Sequence, residues 1–199
     1  MKIDKLSTKF FIFGNLEIPV PAKKLVPGIK LYIAGPLGFA EATRPFHQSI
    51  IKLVRIMGGE PIDAWALTPK EETDRVNKMS PGRRQEKAYK KVNEKIFKKS
   101  IRALDEVMGV IAVLDGPDVD SGTAAEIGYA AGRLIPIIGY RGDFRIASDN
   151  IGTPVNLMIA GFIHNSGGLI IRHISDLPNA LLAIWGNNAN SAQTVGKAR

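Results

Sequence analysis

The 199-residue sequence contains no cysteine. Disulfide bonds and thiolate metal ligands are therefore excluded, and a reducing compartment is the simplest expectation. No apolar run approaches the roughly 18 residues that a membrane-spanning helix requires. The apolar run at residues 10–13 is also too short for the hydrophobic region of a signal peptide. We therefore expect a cytoplasmic protein that does not enter a membrane.

Histidine is scarce as well, with only His47, His164 and His173 in the chain. Their separations fit neither a metal-binding pair on one helix nor a recognisable catalytic triad. We expect all three to be structural or surface residues, and we expect no metal site.

Aromatic residues make up only 7% of the sequence, whereas the formal net charge is +8. Many of the basic residues lie in one stretch in which apolar residues recur about every four positions: Arg83, Arg84, Lys87, Lys90, Lys91, Lys95, Lys98, Lys99 and Arg102. This spacing predicts an amphipathic helix with a solvated basic face. A polyanion-binding surface is the alternative. Because aromatic side chains do not alternate with these charges as in single-strand binders, we expect no nucleic-acid partner.

The remaining pattern is one of alternating strands and helices, in a chain large enough for one core. Strands are expected at residues 30–34, 60–64, 107–114, 134–139 and 168–172, and helices at residues 40–57, 83–104, 123–132, 154–162 and 175–185, the last capped by Ser175. Residues 65–84 are expected to be irregular. This order predicts a doubly wound α/β fold with a parallel five-stranded sheet. We divide the chain into an N-terminal hairpin extension (1–28), one α/β domain (29–185) and a polar tail (186–199).

The loop after the first core strand reads Gly35-Pro36-Leu37-Gly38, and its glycines allow a ligand to approach the backbone. It lacks the third glycine of a dinucleotide-binding fingerprint and the lysine of a phosphate-binding loop. We therefore expect no NAD or ATP, and no other cofactor is indicated.

A second loop, at residues 115–122, follows the third core strand and carries Asp115, Asp118 and Asp120, with Glu126 in the helix behind it. Ligands of such folds bind at the carboxyl ends of the strands, so a site rich in carboxylates is implied. Structure alone offers another explanation, since Thr123 and Glu126 have the spacing of a capping box.

Three segments together carry a resemblance to a known family: residues 31–37 at the first core strand, residues 111–130 from the third core strand into the acidic loop and its helix, and residues 154–159 downstream. Over residues 29–185 the chain resembles the nucleoside 2-deoxyribosyltransferase family. The resemblance implies a flavodoxin-like, Rossmann-like fold, no cofactor, and exchange of the base on a 2'-deoxynucleoside.

The resemblance also implies roles for individual residues. Glu126 matches the nucleophile that forms a covalent sugar ester, and Tyr32 matches the tyrosine that orients it. Gly35 and Pro36 match the substrate-binding loop. Asp120 matches the aspartate that binds the sugar hydroxyls. Asn156 matches a residue supplied across a subunit interface to the 5'-hydroxyl, so a homo-oligomer is implied.

The chain departs from the family pattern in two places. Ser100 stands where the family has an aspartate that assists the leaving base, and a serine cannot serve as a carboxyl proton donor. Asp105 is a possible substitute. The tail after Trp185 also lacks the aromatic residue by which some members reach the site. Two other functions stay open: an N-glycoside hydrolase of (deoxy)nucleosides or their 5'-monophosphates, and a non-catalytic nucleotide-binding module.

Overall fold

The computed structural model describes residues 9–186. Seven strands occur in this part of the chain: β1 (Lys9–Phe13), β2 (Leu16–Val20), β3 (Lys30–Ala34), β4 (Glu60–Asp63), β5 (Gly109–Val113), β6 (Ile137–Tyr140) and β7 (Leu169–Ile171). The α-helices of the same residues are α1 (Arg44–Ile56), α2 (Lys70–Asn77), α3 (Arg83–Glu106), α4 (Ser121–Gly132), α5 (Leu157–Asn165) and α6 (Leu177–Trp185).

Strands β3 to β7 form one sheet in the order β4-β3-β5-β6-β7, and every neighbouring pair is parallel. The strand order reverses at β3, so the chain moves outward to β4 on one side and to β5, β6 and β7 on the other. This is the flavodoxin-like arrangement, and it confirms the predicted doubly wound fold. The switch point between β3 and β5 is where such folds bind ligands.

Two hydrophobic layers cover the sheet. On one face, the core contains apolar residues of α1, α6 and the hairpin, among them Leu53, Leu181 and Ile18. On the other face, it contains residues of α3, α4 and α5, among them Leu104 and Ile127. Strand β5 is buried along its whole length, as expected of a central parallel strand covered on both faces.

The expected hairpin is present before the sheet. Strands β1 and β2 pair antiparallel, and Gly14 at the turn has a φ of +60°, a conformation that favours glycine. One side of the hairpin packs through Phe13 onto Phe46 of α1, with ring centroids 4.7 Å apart. The polar tail predicted for residues 186–199 lies outside the described residues except for Gly186.

Three local predictions were wrong. The segment at residues 65–84 is not irregular throughout, because it contains α2, whose buried Val76 and pairing with α3 supply tertiary support. The last helix is not capped by Ser175, since α6 begins at Leu177 after a short 3-10 turn. The helix expected at residues 154–162 begins three residues later, where Asn156 caps it.

Candidate active site

Two side chains that are 94 residues apart in the sequence meet at the switch point. Tyr32 of β3 donates a hydrogen bond of 2.7 Å from its hydroxyl to Oε1 of Glu126 in α4. Tyr32 is fully buried, and the register places it beside Val110 of β5. The sheet therefore fixes the tyrosine, and the helix brings the carboxylate to it.

The surroundings of this pair change the acidity of both groups. Burial raises the pKa of Glu126, the hydrogen bond from Tyr32 lowers it, and the charge on Asp120 raises it, with a net increase. Burial also raises the pKa of Tyr32, and the negative charge on Glu126 raises it further. Tyr32 therefore keeps its proton and donates to Glu126, whose carboxylate is partly desolvated.

Asp120 caps helix α4, a role for which the sequence had suggested Thr123 and Glu126. It is the N-cap residue of α4, and its Oδ2 accepts hydrogen bonds from the backbone N–H and the hydroxyl of Thr123, at 3.0 and 3.1 Å. The capping box proposed for Thr123 and Glu126 is therefore wrong. Since Asp120 already caps the helix, the Glu126 carboxylate is available for the bond with Tyr32.

The loop after β3 makes a close approach to the neighbouring strand. Gly35 has a φ of +152°, and a Cβ atom placed there would lie 2.9 Å from Cβ of Val113. Pro36 follows at the start of a short 3-10 turn, where its missing N–H costs nothing. The two residues thus carry the chain past the end of β5, next to the Tyr32–Glu126 pair.

Ser100 of α3 lies beside the same pair, in contact with Tyr32. A hydrogen bond from its hydroxyl lowers the pKa of Tyr32. Asp105, the possible substitute for the family aspartate, faces elsewhere: it accepts a hydrogen bond of 2.7 Å from Tyr129 and pairs with Arg133 at 3.3 Å. Asp105 is therefore excluded as the missing acid.

Asn156 does not join the group within this chain. Its Oδ1 accepts from the N–H of Met158 at 3.0 Å, and its Nδ2 donates to Asp149 at 3.4 Å. These contacts begin α5. The residues beside it are apolar yet exposed, with Leu157 at 50% and Met158 at 55% of full exposure.

The segment after β6 contains an arginine–aspartate pair, formed by the exposed Arg145 and the half-buried Asp143. More telling is Arg141, which is fully buried and donates to the carbonyls of Leu114, Gly116 and Arg145. It therefore ties the acidic loop to the strand next to it.

A cavity of about 530 Å³ lies on the α1 side of the loop after β3. It is lined by Gly38, Arg44, His47, Gln48, Asp63, Trp65, Thr68, Lys70, Thr73 and Asp74. Neither Tyr32 nor Glu126 lines it, but it borders the loop after β3, because Trp65 donates from Nε1 to the carbonyl of Gly35 at 3.1 Å. The charge on Asp63 also raises the pKa of Tyr32.

The sequence did not predict His47, Asp63 and Trp65 as site residues, although all three line this cavity. One signal was available for Asp63, which is the last residue of β4 and so stands at the same sheet edge as the two loops. His47 gave no such signal, since only the packing of α1 on β4 brings its Nε2 to 2.8 Å from Oδ1 of Asp63.

Two negative findings apply to residues 9–186. No group of three or more histidine, aspartate or glutamate side chains is placed to hold a metal ion. None of the helices described there has the length and apolar character needed to cross a membrane.

A comparison with known protein families gives a match. The family model for nucleoside 2-deoxyribosyltransferase matches residues 31–158, which include Tyr32, Glu126 and Asn156. A search of curated proteins gives no match.

Solved structures share the fold at low sequence identity. A conserved protein from Enterococcus faecalis V583 is 22% identical, with a TM-score of 0.58 over 78% of this chain and 98% of its own. A 2-deoxyribosyltransferase from Bacillus psychrosaccharolyticus is 19% identical, with a TM-score of 0.56 over 75% and 90%. A CMP N-glycosidase from Clostridium botulinum is 19% identical, with a TM-score of 0.47 over 76% and 97%.

Proposed function

Because the chain belongs to the nucleoside 2-deoxyribosyltransferase family, we propose that it exchanges the base of 2'-deoxynucleosides through a covalent deoxyribosyl intermediate on Glu126. The observation that carries this proposal is the hydrogen bond of 2.7 Å between Tyr32 and Glu126. It holds a half-buried carboxylate at the ligand-binding edge of the sheet, which is the arrangement that a glycosyl nucleophile requires.

In the proposed reaction, a Glu126 oxygen attacks C1' of the sugar. The C1'–N bond breaks, and its electron pair leaves with the base, which takes up a proton. A second base then attacks C1' from the face that the first base left and loses the proton from its attacking nitrogen, and Glu126 departs as a free carboxylate. Two inversions give net retention of configuration at C1'. The hydrogen bond from Tyr32 keeps the attacking oxygen aimed at the sugar.

The surrounding residues supply binding in this proposal. Asp120 has one carboxylate oxygen engaged by Thr123, and the other accepts from the sugar hydroxyls. Gly35 and Pro36 let the substrate lie against the backbone. The cavity beyond Trp65 receives the base. These residues fall within residues 29–185, which we propose as the catalytic domain.

Asn156 is proposed to act on the site of a partner subunit in a homo-oligomer. Its position supports this role, because α5 begins with exposed apolar side chains that a second copy would bury. Ser100 is proposed to bind at the substrate side of Tyr32 without donating a proton to the base. The substrates are small molecules, and a cytoplasmic location is consistent with the lack of a spanning helix among residues 9–186.

The test is an incubation of the protein with deoxyadenosine, with and without free cytosine, followed by chromatography. We expect deoxycytidine to form only when cytosine is present. Free adenine without any new nucleoside would instead identify a hydrolase, and the absence of turnover would identify a binding module. Intact-mass measurement after an acid quench should show one deoxyribosyl group on the wild-type protein and none on Glu126→Gln.

A further inference from the structure

Asp63 is held in one orientation at the wall of the cavity. Its Oδ1 lies 2.8 Å from His47 Nε2 and accepts from the backbone N–H of Trp65 at 3.0 Å. His47 is only 3% exposed, whereas the Asp63 side chain is 19% exposed and lines the cavity. The protein therefore fixes the orientation of the carboxylate through His47 and Trp65, while part of the carboxylate faces the cavity.

Asp63 is also an acceptor with capacity to spare. Burial raises its pKa, but hydrogen bonds from His47 and from the amides of Trp65 and Ala66, with the charge on His47, lower it below the usual range. An ionised carboxylate only accepts hydrogen bonds and has about four acceptor positions. Three donors use it from the protein side, so one position remains for a ligand.

We propose that Asp63 is a specificity-determining residue that accepts a hydrogen bond from the exocyclic amino group of the base. This inference rests on the proposed function, because it assigns the cavity to the base of the substrate. The preferred bases carry an amino group at purine C6 or pyrimidine C4, as adenine and cytosine do. Hypoxanthine and uracil present a carbonyl oxygen at that position, which an ionised carboxylate repels.

The other charged groups of the cavity do not remove this selectivity. Arg44 donates from Nε to the carbonyl of Gly38 at 3.2 Å, which holds it against the loop. Lys70 and Asp74 lie on α2, whereas Asp63 is the last residue of β4. The indole of Trp65, whose backbone N–H is bound by Asp63, provides an aromatic face beside the carboxylate on which a base can stack.

The first measurement uses the unaltered protein and two pairs of donors that differ only at the tested position. We expect kcat/KM for deoxyadenosine to exceed that for deoxyinosine by about tenfold or more, and deoxycytidine to exceed deoxyuridine similarly, since a lost bond to a charged group has that effect. Equal values within both pairs would overturn the role of Asp63.

The second measurement reverses the polarity of the group with Asp63→Asn. The N–H of Trp65 requires an acceptor, so the amide oxygen takes the place of Oδ1 and the amide nitrogen faces the cavity. We expect the preference to turn toward deoxyinosine and deoxyuridine. In Asp63→Ser, the hydroxyl can still accept from Trp65 but the charge is gone, so the preference should disappear without reversing.

Thermal unfolding of both variants separates folding from specificity. A merely structural Asp63 would lower Tm and the rates for all donors together, leaving both ratios unchanged, and that result would overturn the proposal. If only the role of Asp63 is wrong, the wild-type protein will exchange bases but with equal kcat/KM values within each pair of donors. Wild-type protein that exchanges no base at all would contradict the proposed function and this inference with it.

Discussion

At the scale of single residues, the proposed chemistry depends on a carboxylate whose charged form is destabilised by the fold. Glu126 could have closed a capping box, but Asp120 caps α4 instead. Burial then raises the pKa of Glu126, and only the hydrogen bond from Tyr32 opposes this. A half-buried carboxylate of this kind costs stability, because its charged form loses part of its hydration in the folded protein.

Glu126→Gln tests both the proposed role of Glu126 in base exchange and its effect on folding. We expect base exchange to fall by about a thousandfold or more, as for the loss of other enzymatic nucleophiles. Folding should be retained, because the amide oxygen can still accept from Tyr32 and the helix cap does not involve residue 126. Undiminished exchange would show that Glu126 is not the nucleophile.

Stability as a function of pH gives an independent result for the same variant. Burial, together with the charge on Asp120, raises the pKa of Glu126 in the folded protein above its ordinary value. Its neutral form therefore stabilises the fold below the unfolded pKa, and this contribution is lost as the pH rises through the folded pKa. Glutamine does not ionise. The Tm of Glu126→Gln relative to wild type should rise between about pH 4 and pH 7, and a constant difference would contradict the pKa shift.

At the scale of elements, the acidic loop between β5 and α4 is held by the segment after β6. Arg141 binds the carbonyls on both sides of Asp115, and Oδ1 of Asp115 accepts from the N–H of Asp143 at 2.8 Å. A buried guanidinium on three carbonyls is expensive to desolvate, so its value lies in fixing this loop. The loop in turn sets the position of Asp120 and the start of α4.

Arg141→Lys should therefore destabilise the protein while keeping the charge. A lysine cannot reproduce the fork that reaches three carbonyls, and we expect a loss of about 2–4 kcal/mol in the free energy of unfolding, measured with denaturant. The matched control is Arg145→Lys, which disturbs a surface pair and should change little. Equal effects of the two substitutions would mean that the buried contacts of Arg141 do not support the loop.

At the scale of the whole molecule, the chain leaves apolar residues uncovered near the end of the sheet that carries the site. On α5 these are Leu157, Met158 and Phe162, and in the preceding loop they include Ile146, at 65%, and Ile151, at 94% of full exposure. Asn156 lies between the two groups. Exposed apolar side chains of this kind favour association. The proposed contribution of Asn156 to a neighbouring site would follow from burying it.

Subunit complementation tests this proposal. Glu126→Gln removes the nucleophile, and Asn156→Ser removes the amide while keeping a residue that can cap α5. In a mixed dimer, one site would carry both defects and the other would carry neither. We expect two weakly active proteins to regain base exchange when they are unfolded and refolded together. A monomer in sedimentation analysis, or no recovery on mixing, would contradict a shared site.

The sequence by itself determined the order of the strands and which loops follow them at the ligand-binding edge. Buried strands with apolar runs, such as β3 and β5, are visible locally because both faces of a central parallel strand must be apolar. The two loops after them followed from the same pattern, and so did Gly35, whose lack of a side chain is a property of the residue type. The family motifs added expectations for Tyr32 and Glu126.

Only the tertiary structure decided how the polar side chains divide their hydrogen bonds. Thr123 and Glu126 have the spacing of a capping box, yet α4 begins at Ser121 and Asp120 caps it by accepting from the N–H of Thr123. The carboxylate of Glu126 instead accepts a hydrogen bond from Tyr32, 94 residues away. Likewise, the pairing of His47 with Asp63 arises because α1 packs on β4. Long-range contacts of this kind leave no periodic signal in the sequence, since they depend on which side chains the finished fold brings within hydrogen-bonding distance.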